Sequence, residues 1–185
     1  MKKIISGLFL TGFMAGAQAG PIVTADYTEL GGNRWQADYI LSNPVGSPFD
    51  INYFTIDYVA EAYTNFTLIN SVQGWDSFVA EAIPAFGFGG LFDAFALDNA
   101  AILAPGQSTG FFSVEFDYFG NDNLSGQQYS VLDPSSFESL ASGAINQHSI
   151  SVPEPSSLTL LVVGMGLVCW RRRLAQFACA KGVRR

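Results

Sequence analysis

The chain has 185 residues, and its 49% apolar and 14% aromatic content is enough to bury one core, which excludes a chain that is disordered over most of its length. The formal net charge of −7 is unevenly distributed, because residues 20–151 contain Arg34 as their only arginine or lysine against fifteen aspartates and glutamates. Nonspecific binding to nucleic acid depends on many cationic contacts to phosphates, so nucleic acid is excluded as a partner.

Residues 1–19 have the pattern of a cleavable export signal. Two lysines precede an apolar stretch at 4–17, and Ala17 and Ala19 form the small-x-small pattern after which signal peptidase cuts. We therefore predict export by the Sec machinery and a mature start at Gly20. A retained membrane helix is the alternative, but the stretch is shorter than the roughly 20 residues that a span needs.

Residues 20–145 are predicted to form an all-β domain, because apolar and polar residues alternate with a period of two. Glycine, asparagine and proline mark the turns between the alternating segments. Seven or eight short strands in this length predict an antiparallel β-sandwich. The clearest predicted strands are 35–41, 54–58 and 112–118, and the weaker ones are 22–27, 66–72, 92–97, 128–132 and 145–152.

Two segments depart from the strand pattern. Ser135 and Glu138 have the spacing of a helix capping box, which predicts one short helix over 136–141. Residues 83–95 alternate glycine with phenylalanine, and we interpret them as a loop that is mobile or covered by a partner.

The exported domain lacks the residue combinations of common enzymes. His148 is the only histidine, and both cysteines, Cys169 and Cys179, lie beyond residue 151. Catalytic triads, the usual zinc and copper sites, and a disulfide within the domain are therefore not expected. The fifteen carboxylates could contain a glycosidase pair, but most occupy the polar phase of predicted strands, which favours a solvated face and a protein that is not an enzyme.

Two features offer weak binding hypotheses. Asp117, Asn121, Asp122 and Asn123 cluster at the end of a predicted strand, and their oxygen ligands suit Ca²⁺, although a solvated turn is the favoured interpretation. Trp75 lies in a turn-like context and is the best candidate for an exposed platform that stacks on a sugar ring, although a core position is again favoured.

The segment that follows has three parts. A short tether at 146–151 leads into Val152, Pro153, Glu154, Pro155 and Ser156, then an apolar run at 158–170, and then Arg171, Arg172 and Arg173. Thirteen residues of helix rise about 20 Å, less than the roughly 30 Å hydrocarbon core, so the run is a poor permanent anchor. Because arginines stay in the cytoplasm, residues 20–151 are predicted to lie outside.

This layout resembles the PEP-CTERM sorting signal of bacterial surface proteins. The resemblance covers residues 152–173 and implies that Pro153, Glu154 and Pro155 are recognised by a membrane-embedded exosortase, while the arginines stop transfer. It leaves 174–185 as a basic cytoplasmic tail, which is longer than usual for such signals. The flanking prolines prevent helix and sheet formation, which keeps the motif extended for an enzyme.

The leading hypothesis is a protein without enzymatic activity that is exported, held transiently at the membrane, processed by exosortase and delivered to the cell surface or to an extracellular polysaccharide matrix. A calcium-dependent or carbohydrate-binding module is the second hypothesis. A polysaccharide-cleaving enzyme is the third, and it requires two carboxylates that face one groove.

Overall fold

The computed structural model describes residues 20–121, 124 and 126–151. Eleven strands and one 3₁₀ turn, Pro84–Phe86, lie within these residues. The strands are β1 (Ile22–Gly31), β2 (Arg34–Asn43), β3 (Tyr53–Asp57), β4 (Tyr63–Asn70), β5 (Trp75–Ala80), β6 (Leu91–Ala96), β7 (Gln107–Ser108), β8 (Phe112–Tyr118), β9 (Gln128–Leu132), β10 (Ser139–Ala144) and β11 (Asn146–Ser151).

The strands form two sheets that pack face to face. The first sheet has the order β11-β1-β2-β8-β4, with β7 also pairing with β2, and the second has the order β10-β9-β3-β6-β5. All strand pairs are antiparallel except β1 with β11, which are parallel. The predicted β-sandwich is therefore confirmed.

The core lies between the inner faces of the sheets, as the alternation in the sequence predicts. In β2, Ala37, Tyr39 and Leu41 are fully buried while the residues between them are partly exposed. Aromatic rings meet at the centre, where the ring of Phe54 lies 5.3 Å from Phe112 and 5.7 Å from Phe92 between centroids. Such edge-on and tilted contacts add to the free energy gained by burying the rings.

A polar network lies within this core. The hydroxyls of Tyr27 and Tyr39 both donate to Oε1 of Gln127, at 2.9 and 2.8 Å. The Tyr39 hydroxyl also lies 3.2 Å from that of Tyr58. Burial raises the pKa of all three phenols well above 10, so they stay neutral. Gln127 thus satisfies buried donors and fixes the start of β9 against the first sheet.

Residues 136–141 do not form the predicted helix. Oδ1 of Asp133 accepts hydrogen bonds from the backbone N–H groups of Ser135 and Ser136, at 2.8 and 2.9 Å, and these bonds lower the pKa of Asp133. The chain turns at this point and Phe137 adopts a positive φ of 58°. The capping-box prediction was wrong because the left-handed Phe137 ends the turn and residues 139–144 pair with β9 as β10.

Residues 146–151, predicted as a tether, are paired with the domain as β11. Their register runs from Thr24 opposite Asn146 to Thr28 opposite Ser151, and Oγ of Ser149 donates to Asp26 at 2.6 Å. The edge of β1 offers unpaired backbone groups, which explains why this segment docks there. These residues are therefore a strand, as the weaker prediction for 145–152 indicates, and not an unpaired tether.

Within the part of the chain that is described, no helix has the length and apolarity to cross a bilayer. The apolar run at 158–170 lies outside the described residues.

Candidate functional site

A groove of about 400 Å³ lies on the outer face of the β10-β9-β3-β6-β5 sheet. Strands β3, β5 and β6 form its floor, and the turn between β9 and β10 forms one wall. We call it the aromatic groove. Its principal side chains are those of Tyr53, Asp76, Phe78, Asp93, Phe95 and Phe137.

Strand register explains why these residues meet. Phe95 of β6 lies opposite Tyr53 of β3 on one side and opposite Asp76 of β5 on the other. Asp93, two residues earlier in β6, lies opposite Phe78. Because side chains two residues apart share a face, all five project outward from the sheet. The groove is thus a direct product of strand pairing.

The rings of the groove are exposed but held in place by one another. Phe78, Phe95 and Phe137 expose 53%, 42% and 66% of their surface. Tyr53 packs edge-on against both Phe95 and Phe137, with centroid distances of 5.9 and 6.0 Å. Three large exposed rings in one groove form an apolar patch of the kind that marks a binding surface.

Asp93 is the central polar group of the groove. Its Oδ2 accepts a hydrogen bond of 3.2 Å from the Tyr53 hydroxyl, while its Oδ1 is buried and has no hydrogen-bond partner. Burial raises the pKa of Asp93, and the negative charge of Asp76 acts in the same direction, against the hydrogen bond from Tyr53. The pKa of Tyr53 is also raised, first by burial and then by Asp93. The groove therefore combines ring faces with carboxylates that accept hydrogen bonds.

Trp75 does not form the exposed platform proposed from the sequence. It is only 6% exposed, and its ring packs edge-on against Phe54 and Phe112 at 6.0 and 5.7 Å. It is also one of the residues that line a second depression of about 380 Å³. The platform interpretation is therefore wrong, and the core position favoured from the sequence is correct.

The sequence analysis missed the aromatic groove because it did not predict β5. Within that strand Trp75 and Ser77 face one side while Asp76 and Phe78 face the other, so the exposed ring is three residues beyond Trp75. Residues 75–80 gave no period-two signal, because their sequence, Trp-Asp-Ser-Phe-Val-Ala, does not alternate apolar with polar residues. Phe137 had no signal either, since its place depends on the turn at Asp133.

The predicted calcium cluster is only partly described. Asp117 is paired with other groups, because its Oδ1 lies 3.4 Å from Arg34 and its Oδ2 accepts a hydrogen bond of 3.0 Å from Asn65. Asn121 is exposed, and Asp122 and Asn123 lie outside the described residues. Among residues 20–121, 124 and 126–151 no three His, Cys, Asp or Glu side chains are grouped to hold a metal. Calcium at this loop stays a prediction.

Arg34, the only arginine or lysine in residues 20–151, is fully engaged on the outer face of the first sheet. Its guanidinium contacts Glu115 at 2.9 Å and Asp117 at 3.4 Å, and it donates to Thr67 at 3.1 Å. It joins β2, β8 and β4 rather than presenting a free positive charge. The sandwich therefore offers acidic ligands no free arginine or lysine.

The predicted processing sites lie largely outside the described residues. These are Ala17 and Ala19 of the signal, the motif from Val152 to Ser156, and the arginines 171–173. Gly20, the predicted mature start, is described and exposed. Pro21 beside it is buried and accepts a hydrogen bond from the Tyr129 hydroxyl. The ordered sandwich thus begins directly after the predicted cleavage site.

Comparison by sequence gives one family match. Residues 151–173 match the model of the PEP-CTERM protein-sorting motif. No curated protein sequence matches the chain.

Comparison by structure gives weak likenesses. The chitin-binding domain of Chi18aC from Streptomyces coelicolor is 16% identical over 64% of this chain and 98% of that domain, with a TM-score of 0.38. A point mutant of the carbohydrate-binding module CBM3b of cellobiohydrolase 9A from Clostridium thermocellum is 12% identical over 68% of this chain and 87% of that module, also with a TM-score of 0.38. The GH20 exo-β-N-acetylglucosaminidase from Vibrio harveyi is 10% identical over 74% of this chain, with a TM-score of 0.36, and the chain spans 19% of the length of that enzyme. At these TM-scores none of the likenesses supports a functional conclusion.

The motif match agrees with the order of residues from Val152 to Arg173, and it implies export and sorting to the cell surface with exosortase as the processing partner. The chain is therefore a protein that carries the PEP-CTERM sorting motif.

Proposed function

We propose that this protein is an exported, non-enzymatic surface protein that binds carbohydrate in the aromatic groove and is processed by exosortase at its C-terminal motif. The observation that carries the binding role is the groove itself, with exposed Phe78, Phe95 and Phe137 around Asp93. In the cell such a protein would attach the surface to extracellular polysaccharide and act as an adhesive component of a biofilm.

The chemistry of the groove suits a sugar. A pyranose ring presents apolar C–H faces, which pack on aromatic rings, and hydroxyls, which donate to fixed acceptors. The rings of Tyr53, Phe95 and Phe137 are fixed by mutual contacts, so little side-chain entropy is lost on binding. Asp93 and Asp76 supply the acceptors at the floor and the edge strand.

The two ends of the chain supply the route to the surface. The export signal at 1–19 directs the chain through the Sec machinery, where signal peptidase removes it. The apolar run at 158–170 then holds the domain transiently at the membrane, and the arginines at 171–173 keep the tail inside. Exosortase acts at or near Pro153-Glu154-Pro155 and releases the domain from this anchor.

We propose binding without cleavage, although Asp76 and Asp93 satisfy the condition of two carboxylates in one groove. Glycosidases place their carboxylates on either side of the scissile bond. Here both residues project from neighbouring strands of one sheet face, so they lie on the same side of any ligand in the groove. Two carboxylates on the same side of the ligand favour hydrogen bonding to it over hydrolysis of its glycosidic bond.

A matched pair of phenylalanines tests the binding role. Phe78 is 53% exposed inside the groove, and Phe111 is 50% exposed and does not line it. Full-length protein in a non-ionic detergent without a sugar headgroup is titrated calorimetrically with neutral, amino and acidic oligosaccharides. We expect Phe78→Ser to weaken binding about fivefold and Phe111→Ser to leave it unchanged, since loss of one ring contact removes about 1 kcal/mol.

Binding of no oligosaccharide, or equal effects of the two substitutions, would contradict the proposal. Shortened oligosaccharide recovered after incubation would replace the adhesive role with hydrolysis.

A further inference from the structure

We infer that the aromatic groove selects saccharides that carry a protonated amine over their neutral and acidic counterparts. The inference rests on the proposed carbohydrate binding and specifies its ligand class. The carrying observation is the pair of carboxylates, Asp76 and Asp93, on one face of a groove walled by aromatic rings.

Asp76 is the carboxylate that the groove leaves open to a ligand, because it is exposed. Asp93 is less accessible, since its Oδ2 accepts from the Tyr53 hydroxyl and its Oδ1 is buried. A charged donor binds a carboxylate more strongly than a neutral hydroxyl does. An ammonium group on the sugar would supply such a donor.

A second carboxylate strengthens this preference. Asp76 lies opposite Phe95 and Asp93 lies opposite Phe78, so the two acids are diagonal neighbours on adjoining strands. Diagonal neighbours in an antiparallel pair are about 7–8 Å apart, close enough for a cation between them to interact with both. Arg34 cannot neutralise them, because it is bound to Glu115 and Asp117 on the other sheet.

The rings favour the same ligand. A cation within about 6 Å of a tyrosine or phenylalanine ring face is attracted by the negative charge of that face. Tyr53, Phe78, Phe95 and Phe137 surround the groove, so a sugar ammonium would meet rings as well as carboxylates. An acidic sugar would instead face Asp76 and Asp93, and like charges disfavour binding.

The test compares the glucosamine trimer with the N-acetylglucosamine trimer, which differ in the charge of the nitrogen. Full-length protein in the same detergent is titrated at about pH 6, where an amine of this kind is protonated. We expect the glucosamine trimer to bind at least about tenfold more tightly. Added salt should weaken only the binding of glucosamine, because screening acts on the charge interaction.

Three carboxylate variants identify the source of the preference. Asp76→Asn should abolish it and Asp93→Asn should reduce it. The control is Asp50→Asn, which removes an exposed carboxylate that does not line the groove and should keep the preference. Thermal unfolding confirms that each variant is folded.

Equal binding of the two trimers, with Phe78→Ser still weakening both, would overturn the charge selection and leave sugar binding intact. Binding of neither trimer, nor of any other saccharide, would overturn the proposed function as well. Tighter binding of a tetralysine peptide than of the glucosamine trimer would show that the groove takes basic peptides, and would also overturn the inference.

Discussion

Asp93 shows at the scale of one residue how a partly buried carboxylate lowers stability. Its carboxylate is partly buried on the outer face of the second sheet, and burial raises its pKa. The folded chain therefore holds the Asp93 proton more tightly than the unfolded chain does. The protonated carboxyl of Asp93 contributes fully to stability below the unfolded pKa of about 3.9. This contribution is lost as the pH rises through the pKa of Asp93 in the folded protein.

Replacing Asp93 with asparagine should therefore stabilise the protein at neutral pH. The amide oxygen still accepts from the Tyr53 hydroxyl, and no charge is buried. We expect Asp93→Asn to raise the thermal unfolding midpoint at pH 7, with the difference shrinking towards about pH 4. Asp50→Asn is the exposed control and should show no such pH-dependent gain.

A lower midpoint for Asp93→Asn at pH 7, or a gain that does not depend on pH, would contradict the assignment. If Asp93→Asn is more stable and also prefers the glucosamine trimer less, the native Asp93 lowers stability in favour of binding, as is common at functional sites.

At the scale of the elements, the sequence predicted the strands whose apolar and polar residues alternate strongly. It did not predict the strands whose formation depends on a turn or on pairing with another strand. β2, β3 and β8 alternate apolar and polar residues over their length, and the structure has them within a few residues of the predicted bounds. β10 is different, because five of its six residues are small or polar and its formation depends on pairing with β9. No local pattern encodes such a pairing.

The same distinction governs the candidate site. Once β5 is recognised as a strand, Trp75 and Phe78 must lie on opposite faces, because successive side chains alternate along a strand. The meeting of Phe78 with Tyr53 and Phe137 depends instead on strand order and on a turn distant in sequence. The sequence shows that these aromatic residues are present, but it does not predict that they meet in one groove.

The loop after β5 shows a glycine used for close approach. Residues 83–95 were interpreted as a mobile or partner-covered loop, but Ile83 pairs with Phe88 and the chain enters β6 at Leu91. Gly89 is buried, and a Cβ there would lie 1.8 Å from the carbonyl oxygen of Tyr58. The backbone at Gly89 is therefore packed directly against the backbone at Tyr58.

Gly89→Ala should destabilise the protein by about 1–3 kcal/mol, because the backbone must shift to admit the methyl group. Gly110→Ala is the control, since its nearest neighbour would be Val72 Cγ2 at an ordinary contact of 3.8 Å. We expect the control to change the free energy of unfolding by less than about 0.5 kcal/mol. Denaturant unfolding of both variants measures this, and equal midpoints would refute close approach at Gly89.

At the scale of the whole molecule, the sandwich is complete between the two predicted processing sites. β1 begins two residues after Gly20, and β11 ends at Ser151, one residue before Val152, where the motif predicted from the sequence begins. All eleven described strands therefore remain when the signal and the tail are removed. The groove is formed by β3, β5, β6 and the β9–β10 turn, so its side chains are independent of both ends.

Processing at the motif can be tested on the full chain in a host that contains exosortase. The exported protein should have an intact mass that lacks the apolar run at 158–170. Glu154→Ala removes the charged residue between the two prolines, so we expect the run to stay attached and the protein to remain in the membrane fraction. Ser157→Ala, outside the Pro-Glu-Pro tripeptide, should be processed normally. Release of Glu154→Ala with the mass of the processed parent protein would show that the enzyme does not read this tripeptide.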